Sequence, residues 1–85
     1  MTDVRWTDQA IAALVSLTGR QRRALLERIE LAGQFPAMYP FRQRGRFRNL
    51  RYFVIERRWI VYYRPEEERL TILAIVPALA RPRRL

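Results

Sequence analysis

The sequence predicts an α+β fold, in which a short N-terminal strand and a two-helix hairpin pack on a small antiparallel sheet in the order β-α-α-β-β-β. Two observations lead to this prediction. The first half of the chain carries apolar residues at helical spacing behind two capping signals, and the second half carries three runs of β-branched and aromatic residues separated by short polar turns. A sheet this small is not stable alone, so the helices are expected to cover one of its faces.

The first helix is predicted from a hydroxyl cap. Thr7 follows a short strand over residues 4–6, and its side chain can cap a helix over residues 8–17. The face that this helix turns inward is expected to carry Ile11, Leu14, Val15 and Thr18.

A second helix is predicted to start at the tetrapeptide Thr18-Gly19-Arg20-Gln21, which matches a capping box. It should end at Gly33, because Pro36 and Pro40 cannot continue a helix. Its inner face is expected to carry Leu25, Leu26, Ile29 and Ala32. The two helices are therefore expected to form a hairpin.

Three strands are predicted over residues 50–55, 59–63 and 70–76. Their short connections favour an antiparallel meander. The last strand is apolar at every position from 72 to 76, which indicates that it lies centrally with little of either face open to water.

Length and composition bound the class of protein. With 85 residues the chain has room for one domain, spanning residues 1–85, and its hydrophobic fraction of 49% is typical of a folded globular chain. It has no cysteine, no signal-peptide pattern and no apolar run near the ~20 residues of a membrane span. We therefore expect no membrane association and a cytoplasmic location.

The charge of the chain is strongly unbalanced. Seventeen arginines and no lysine stand against eight acids, which gives a formal net charge of +9. A GC-rich coding bias explains arginine in place of lysine, but it does not explain the excess of positive charge. A field of this size attracts phosphate backbones or an acidic protein, so the expected partner is negatively charged.

The strongest local signal lies between Phe41 and Arg51, where arginine recurs without any acid. In an extended conformation the first four arginines of this segment would share one face. Guanidinium groups in such a row can bind phosphates or carboxylates through paired hydrogen bonds, or receive an acidic peptide; the alternative is a solvated loop. The candidate target- or phosphate-binding residues in this segment are Arg44, Arg46, Arg48 and Arg51, with Arg42 in the same row.

The aromatic residues of the strands divide into two groups. Trp59 and Tyr62 are assigned to the core, because aromatic residues in alternating strands are usually packing residues. Tyr52 and Tyr63 remain open, and Tyr63 is a candidate for stacking on a base of a nucleic acid.

The C-terminal residues 80–85 form a second basic cluster, in which Arg81 and Arg83 are candidate contacts for the same target. Arg81 follows the last strand. We expect it to sit at a strand end, where its side chain can point into a cleft beside the 42–51 segment.

Conventional catalytic groups are sparse. The chain has no histidine and no cysteine, which excludes the usual metal sites and imidazole or thiol catalysis. Ser16 is the one serine, and Glu66-Glu67-Glu68 is better explained as a turn than as a metal loop. We expect no metal and no cofactor, and the sequence leaves open whether the protein is an enzyme.

In the order of these features the chain resembles the RelE/ParE toxin superfamily over nearly its whole length. The closest matches are Leu50-Arg51, then Trp59-Ile60-Val61-Tyr62-Tyr63-Arg64-Pro65-Glu66-Glu67, then Ile72-Leu73-Ala74-Ile75-Val76 leading to Arg81. The resemblance implies a growth-inhibiting toxin, encoded beside an acidic antitoxin protein that binds and silences it in a toxin–antitoxin hetero-oligomer.

The superfamily contains two activities, and the resemblance favours one of them. Its RelE branch cuts messenger RNA on the ribosome with basic residues and a C-terminal tyrosine or histidine, whereas its ParE branch poisons DNA gyrase. This sequence has Ile60 or Val61 where the ribonucleases often have an arginine, and neither Tyr nor His follows Arg81. The expected function is ParE-like; the alternatives are a RelE-like mRNA endonuclease and a non-toxic basic nucleic-acid-binding module.

Overall fold

Six elements follow one another along residues 3–78, the part of the chain that the computed structural model describes. They are β1 (Asp3–Trp6), α1 (Asp8–Leu14), α2 (Gly19–Gln34), β2 (Arg51–Ile55), β3 (Trp59–Glu66) and β4 (Arg69–Pro77). The predicted α+β class and the β-α-α-β-β-β order are confirmed.

The four strands form one sheet in the order β1-β4-β3-β2. β2, β3 and β4 form the predicted antiparallel meander, and β1 adds to β4 in parallel, which makes the sheet mixed. β4 therefore lies between two strands, and the prediction that the most apolar strand is central is confirmed. The register places Arg51 opposite Tyr63 and Tyr52 opposite Tyr62. Because successive residues alternate between faces, these two pairs lie on opposite faces of the sheet.

Polar side chains at the start of α1 fasten this helix to the sheet. Thr7 caps the helix as predicted, since its Oγ1 accepts a hydrogen bond from the Ala10 N–H at 3.2 Å. The same hydroxyl donates to the Leu73 carbonyl at 2.7 Å. The Gln9 side-chain amide bonds both backbone groups of Ile75, each at 2.9 Å. These bonds continue the pairing of β1 along β4 and satisfy backbone groups that would otherwise lack a partner.

The first helix turns a different face to the core from the predicted one. Its packed residues are Ala10, Ala13 and Leu14, whereas Ile11 and Val15 are 52% and 80% exposed. The prediction is wrong because residues 10–15 are apolar at every position, so that helical spacing does not select a face. The bonds from the start of the helix to β4 select it instead.

The second helix begins at the predicted capping box. The Thr18 Oγ1 accepts from the Gln21 N–H at 3.1 Å, and the Gln21 Oε1 accepts from the Thr18 N–H at 3.0 Å. The helix continues one residue past Gly33, to Gln34. Of the four residues predicted to face inward, Leu26 alone is exposed, because it is about 100° around the helix axis from its buried neighbour Leu25.

The helices cover one face of the sheet, as predicted. The buried residues of that core are Ala10, Leu17, Leu25, Ile29, Ala32, Phe53, Ile55, Val61, Tyr63, Leu70, Ile72 and Ile75. We call the other side of the sheet the open face. Tyr62 and Ala74 are paired across β3 and β4 on that face and are buried without joining the helix-side core.

Candidate functional site: the arginine loop

Residues 42–49, which we call the arginine loop, fold back on themselves. The Arg42 N–H donates to the Leu50 carbonyl and the Asn49 N–H donates to the Arg42 carbonyl, both at 2.8 Å. Gly45 and Asn49 have positive φ values of 87° and 70°, a conformation that glycine and asparagine adopt more readily than other residues. The extended conformation considered for this segment is therefore wrong, and the arginines occupy a closed loop instead of one face of a strand.

An aromatic stack fastens the arginine loop to the open face of the sheet. The Phe47 ring stacks on the Tyr62 ring with centroids 4.1 Å apart and an interplanar angle of 17°. Tyr62 is consequently 2% exposed. The prediction that Tyr62 is a packing residue is confirmed, although Phe47 and not a helix provides its cover. The Tyr52 ring lies beside this stack, 6.0 Å from Tyr62.

The arginine loop carries positive charge that no neighbouring acid neutralises. Its four arginines are exposed, and no acid occurs between Glu30 and Glu56 along the chain. Within residues 3–78 the ion pairs involve other arginines, namely Arg20, Arg64 and Arg69. Two guanidinium groups of the loop lie near aromatic rings, Arg42 at 6.0 Å from Tyr52 and Arg46 at 5.4 Å from Phe47.

A shallow cleft opens where the arginine loop begins. Its volume is about 510 Å³, and it is lined by Pro40, Phe41, Arg42, Gln43, Arg44 and Tyr52. Sequence reasoning missed Gln43 as a site residue. The only signal for it was a side-chain amide placed between two arginines, which can donate hydrogen bonds to the same anion.

The Arg51 side chain is held by contacts within the protein. Its guanidinium donates hydrogen bonds to the carbonyls of Ala37 and Tyr39 and lies 4.0 Å from the centroid of the Phe41 ring. These contacts fix the connection between α2 and β2, residues 35–50, where it approaches the sheet. Arg51 therefore supports the start of the arginine loop, because Phe41, the residue before the loop, pairs with Arg51.

Tyr63 belongs to the core. It is fully buried, and its hydroxyl donates to the Pro36 carbonyl at 3.1 Å. Burial raises the pKa of Tyr63 to about 12, with Arg51 lowering it and Tyr39 raising it by smaller amounts. A ring in this position cannot stack on a base, so the expectation that Tyr63 contacts a target is wrong. Tyr62 and Tyr63 are adjacent in β3, and the pattern of the strand residues gave no signal for which of the two faces the helices.

The structure separates the predicted site residues into two sets. Arg44, Arg46 and Arg48 are together on the arginine loop. Arg51 and Tyr63 face the helix-covered side of the sheet, where they hold the connection between α2 and β2. Arg81 and Arg83 lie outside the described residues. Sequence reasoning named Arg51 and Tyr63 but missed their supporting role, because their partners are backbone carbonyls, which no residue type marks.

No group of acids that could hold a metal ion occurs within the described residues, and none of their helices is long and apolar enough to cross a membrane. The candidate site is thus built from guanidinium, amide and aromatic groups. Such groups bind anions through hydrogen bonds and charge.

The fold places two helices over a β-meander, with an exposed arginine loop beside it, which is the β-α-α-β-β-β layout that the resemblance implied. The family model for the ParE toxin of type II toxin-antitoxin system, parDE, matches residues 4–79. This match spans most of the chain, so the chain belongs to that family and is the toxin component of a type II toxin–antitoxin system, with a cognate antitoxin as its partner. No curated protein and no solved structure matches the chain.

Proposed function

We propose that this toxin arrests bacterial growth in the cytoplasm by poisoning DNA gyrase, and that an acidic antitoxin holds it inactive in a hetero-oligomeric complex. The observation that carries the proposal is the arginine loop, an exposed set of cations that makes no ion pair within residues 3–78. Such a site is suited to binding a target and not to cutting it. Family membership favours this toxin function over a non-toxic nucleic-acid-binding module.

An mRNA endonuclease needs groups that transfer protons, and this chain lacks the usual ones. A general base works best with a pKa near the operating pH, and the chain has no histidine. Tyr63 is buried, and its pKa of about 12 keeps the hydroxyl protonated near neutral pH. The guanidiniums of the loop do not deprotonate in proteins, which leaves the Tyr52 phenol as the one other titratable group that lines the cleft beside them.

The residues proposed to carry the function have different roles. Arg44, Arg46 and Arg48 contact the target from the arginine loop. Arg51 and Tyr63 act through position, because their hydrogen bonds hold the connection from which the loop projects. Arg81 and Arg83 are proposed as further contacts on the basis of the sequence alone.

The outer side of the helix hairpin offers the antitoxin a different kind of surface. Ile11 of α1, Val15 just after α1, Leu26 of α2 and Phe35 at the end of α2 are large apolar side chains with more than half of their area exposed. An acidic and amphipathic segment fits a protein that combines such residues with a net charge of +9.

Induction of the toxin without its antitoxin tests the proposal. We expect growth to stop with DNA synthesis failing before protein synthesis, and purified toxin to convert gyrase-treated plasmid into cleaved DNA. Co-expression of the antitoxin should restore growth. Early loss of protein synthesis with cut mRNA would support the endonuclease instead, and unaffected growth would support the non-toxic module.

A further inference from the structure

We propose that the arginine loop binds the phosphodiester backbone of duplex DNA, with Arg42, Arg44, Arg46 and Arg48 as the phosphate contacts. The inference rests on the proposed function, because gyrase acts while it holds a DNA duplex, and it gives that function a second ligand. The toxin then touches the DNA of the gyrase complex as well as the enzyme.

Unneutralised charge is the first reason. The four loop arginines are exposed, and the ion pairs of the described residues use none of them. Guanidinium groups bind phosphate oxygens through charge-assisted, paired hydrogen bonds. Four such groups on an eight-residue loop match a polymer that carries a phosphate at every nucleotide.

The second reason is that the arginine loop is ordered before it binds. Backbone bonds close the loop at Arg42 and Asn49, and the Phe47 ring is stacked on Tyr62. A further backbone bond joins the Arg48 N–H to the Gly45 carbonyl at 3.2 Å. Because the backbone of the loop is already ordered without a ligand, binding has to order mainly the arginine side chains, which lowers its entropic cost.

The surroundings of the loop favour a duplex backbone over unpaired bases. The one ring of the loop, Phe47, is stacked on Tyr62, and the neighbouring Tyr52 and Phe41 rings each lie near a guanidinium, those of Arg42 and Arg51. The loop therefore presents guanidinium groups and no unstacked ring of its own, whereas base stacking contributes much of the affinity for single strands. Residues 41–46 are all exposed, so this part of the loop projects and can approach a groove that has phosphates on both sides.

One phosphate has a defined place at the base of the loop. Arg42, Gln43 and Arg44 line the cleft of about 510 Å³ together with Tyr52. Two guanidiniums and a side-chain amide can donate to the oxygens of one phosphate there. These are contacts to the backbone, so binding is expected to depend on salt and not on base sequence.

The test is the salt dependence of binding to a labelled duplex of mixed sequence, measured by fluorescence anisotropy with the full-length toxin. Four phosphate contacts predict a log–log slope of about −3.6, or roughly 150-fold weaker binding at ~200 mM than at ~50 mM salt. The double variant Arg44→Gln/Arg48→Gln removes two of the contacts. Its slope should fall to about −1.8, or roughly a 12-fold loss over the same range.

The matched control is Arg23→Gln/Arg57→Gln. Both residues are exposed and lie outside the arginine loop, and this variant lowers the net charge by the same amount. We expect it to keep the wild-type slope. A loop variant with the wild-type slope, or a control with the same reduced slope, overturns the inference. Single-stranded RNA of the same length that binds as tightly, with the same slope, overturns the assignment to duplex DNA.

The same variants in a gyrase cleavage assay separate this inference from the proposed function. We expect the loop variant to need more toxin than the control for the same amount of cleaved plasmid. Equal potency of the two variants overturns the inference and also the assignment of Arg44 and Arg48 as target contacts, whereas cleavage induced by the wild-type toxin still supports gyrase as the target. A wild-type toxin that binds DNA with the expected slope and has no effect on gyrase contradicts the proposed function alone.

Discussion

Arg48 and Arg51 are three residues apart in the chain and have different partners. Arg48 lies in a turn of the arginine loop, and its side chain is exposed. Arg51 opens β2 opposite Tyr63, so its side chain points to the helix-covered face and donates to the carbonyls of Ala37 and Tyr39. Arginines of one basic segment can therefore be exposed, as Arg48 is in the loop, or act as internal supports, as Arg51 does where the strand begins.

Loop arginines and supporting arginines contribute to different properties of the protein. A loop arginine contributes to binding and little to stability, because its side chain is exposed and makes no ion pair within the described residues. A supporting arginine contributes to stability, because its removal leaves carbonyl groups without their donor. Changes in the support should therefore appear first in unfolding experiments, and changes in the loop should appear first in binding.

Removal of the Tyr63 ring is the largest expected effect. Tyr63→Ala should lower the free energy of unfolding by about 3–5 kcal/mol, which is usual for loss of a buried aromatic side chain. Tyr63→Phe keeps the ring and loses only the hydroxyl bond to the Pro36 carbonyl, so about 1 kcal/mol is expected. Urea unfolding of the purified toxin measures both. Equal losses in the two variants would contradict the assignment of Tyr63 to the core.

The hydroxyl of Tyr63 also predicts a dependence of stability on pH. Its pKa rises from the ordinary value of 10.0 to about 12 on folding, so the folded state favours the protonated form. This contribution is complete below pH 10.0 and is lost as the pH rises through about 12. Over that interval the parent toxin should lose more stability than Tyr63→Phe, and parallel curves would argue against a buried hydroxyl.

Arg51 and Arg48 give the next largest contrast. Arg51→Ala should cost about 1.5–3 kcal/mol of stability, since hydrogen bonds of a charged group to carbonyls are lost. Arg48→Ala should cost less than about 0.5 kcal/mol, as is usual for an exposed side chain. Thermal unfolding of the two variants checks the difference. If Arg48→Ala were the more destabilising change, the division into loop and support would be wrong.

Much of the fold follows from local signals in the sequence. The hydroxyl cap at Thr7 and the capping box from Thr18 to Gln21 mark the two helix starts correctly. The faces of the helices do not follow in the same way, because Ile11 and Leu26 lie in continuous apolar runs. Which residue of such a run is buried depends on bonds to a strand more than sixty residues away, such as those from Gln9 to Ile75.

The candidate site was less predictable than the fold. The alternation of arginine with other residues predicts a strand, but Gly45 and Asn49 adopt positive φ and turn the chain. These two residues are ordinary turn signals and could have indicated the loop. No signal in the sequence gives the position of the Ala37 and Tyr39 carbonyls that bond Arg51, because the tertiary structure alone brings them there.

The Phe47–Tyr62 stack joins the two regions, and its loss is expected to cost less stability than the loss of the Tyr63 ring or of the Arg51 side chain. Phe47→Ala should lower the free energy of unfolding by about 0.5–1.5 kcal/mol, the range of an aromatic pair. The loop should loosen while the sheet stays folded, so the Arg42 and Asn49 amides that close the loop should exchange their hydrogens faster. Phe35→Ala is the control, because Phe35 is 57% exposed at the end of α2. Unchanged exchange in Phe47→Ala would mean that the backbone turns at Gly45 and Asn49 hold the loop without the stack.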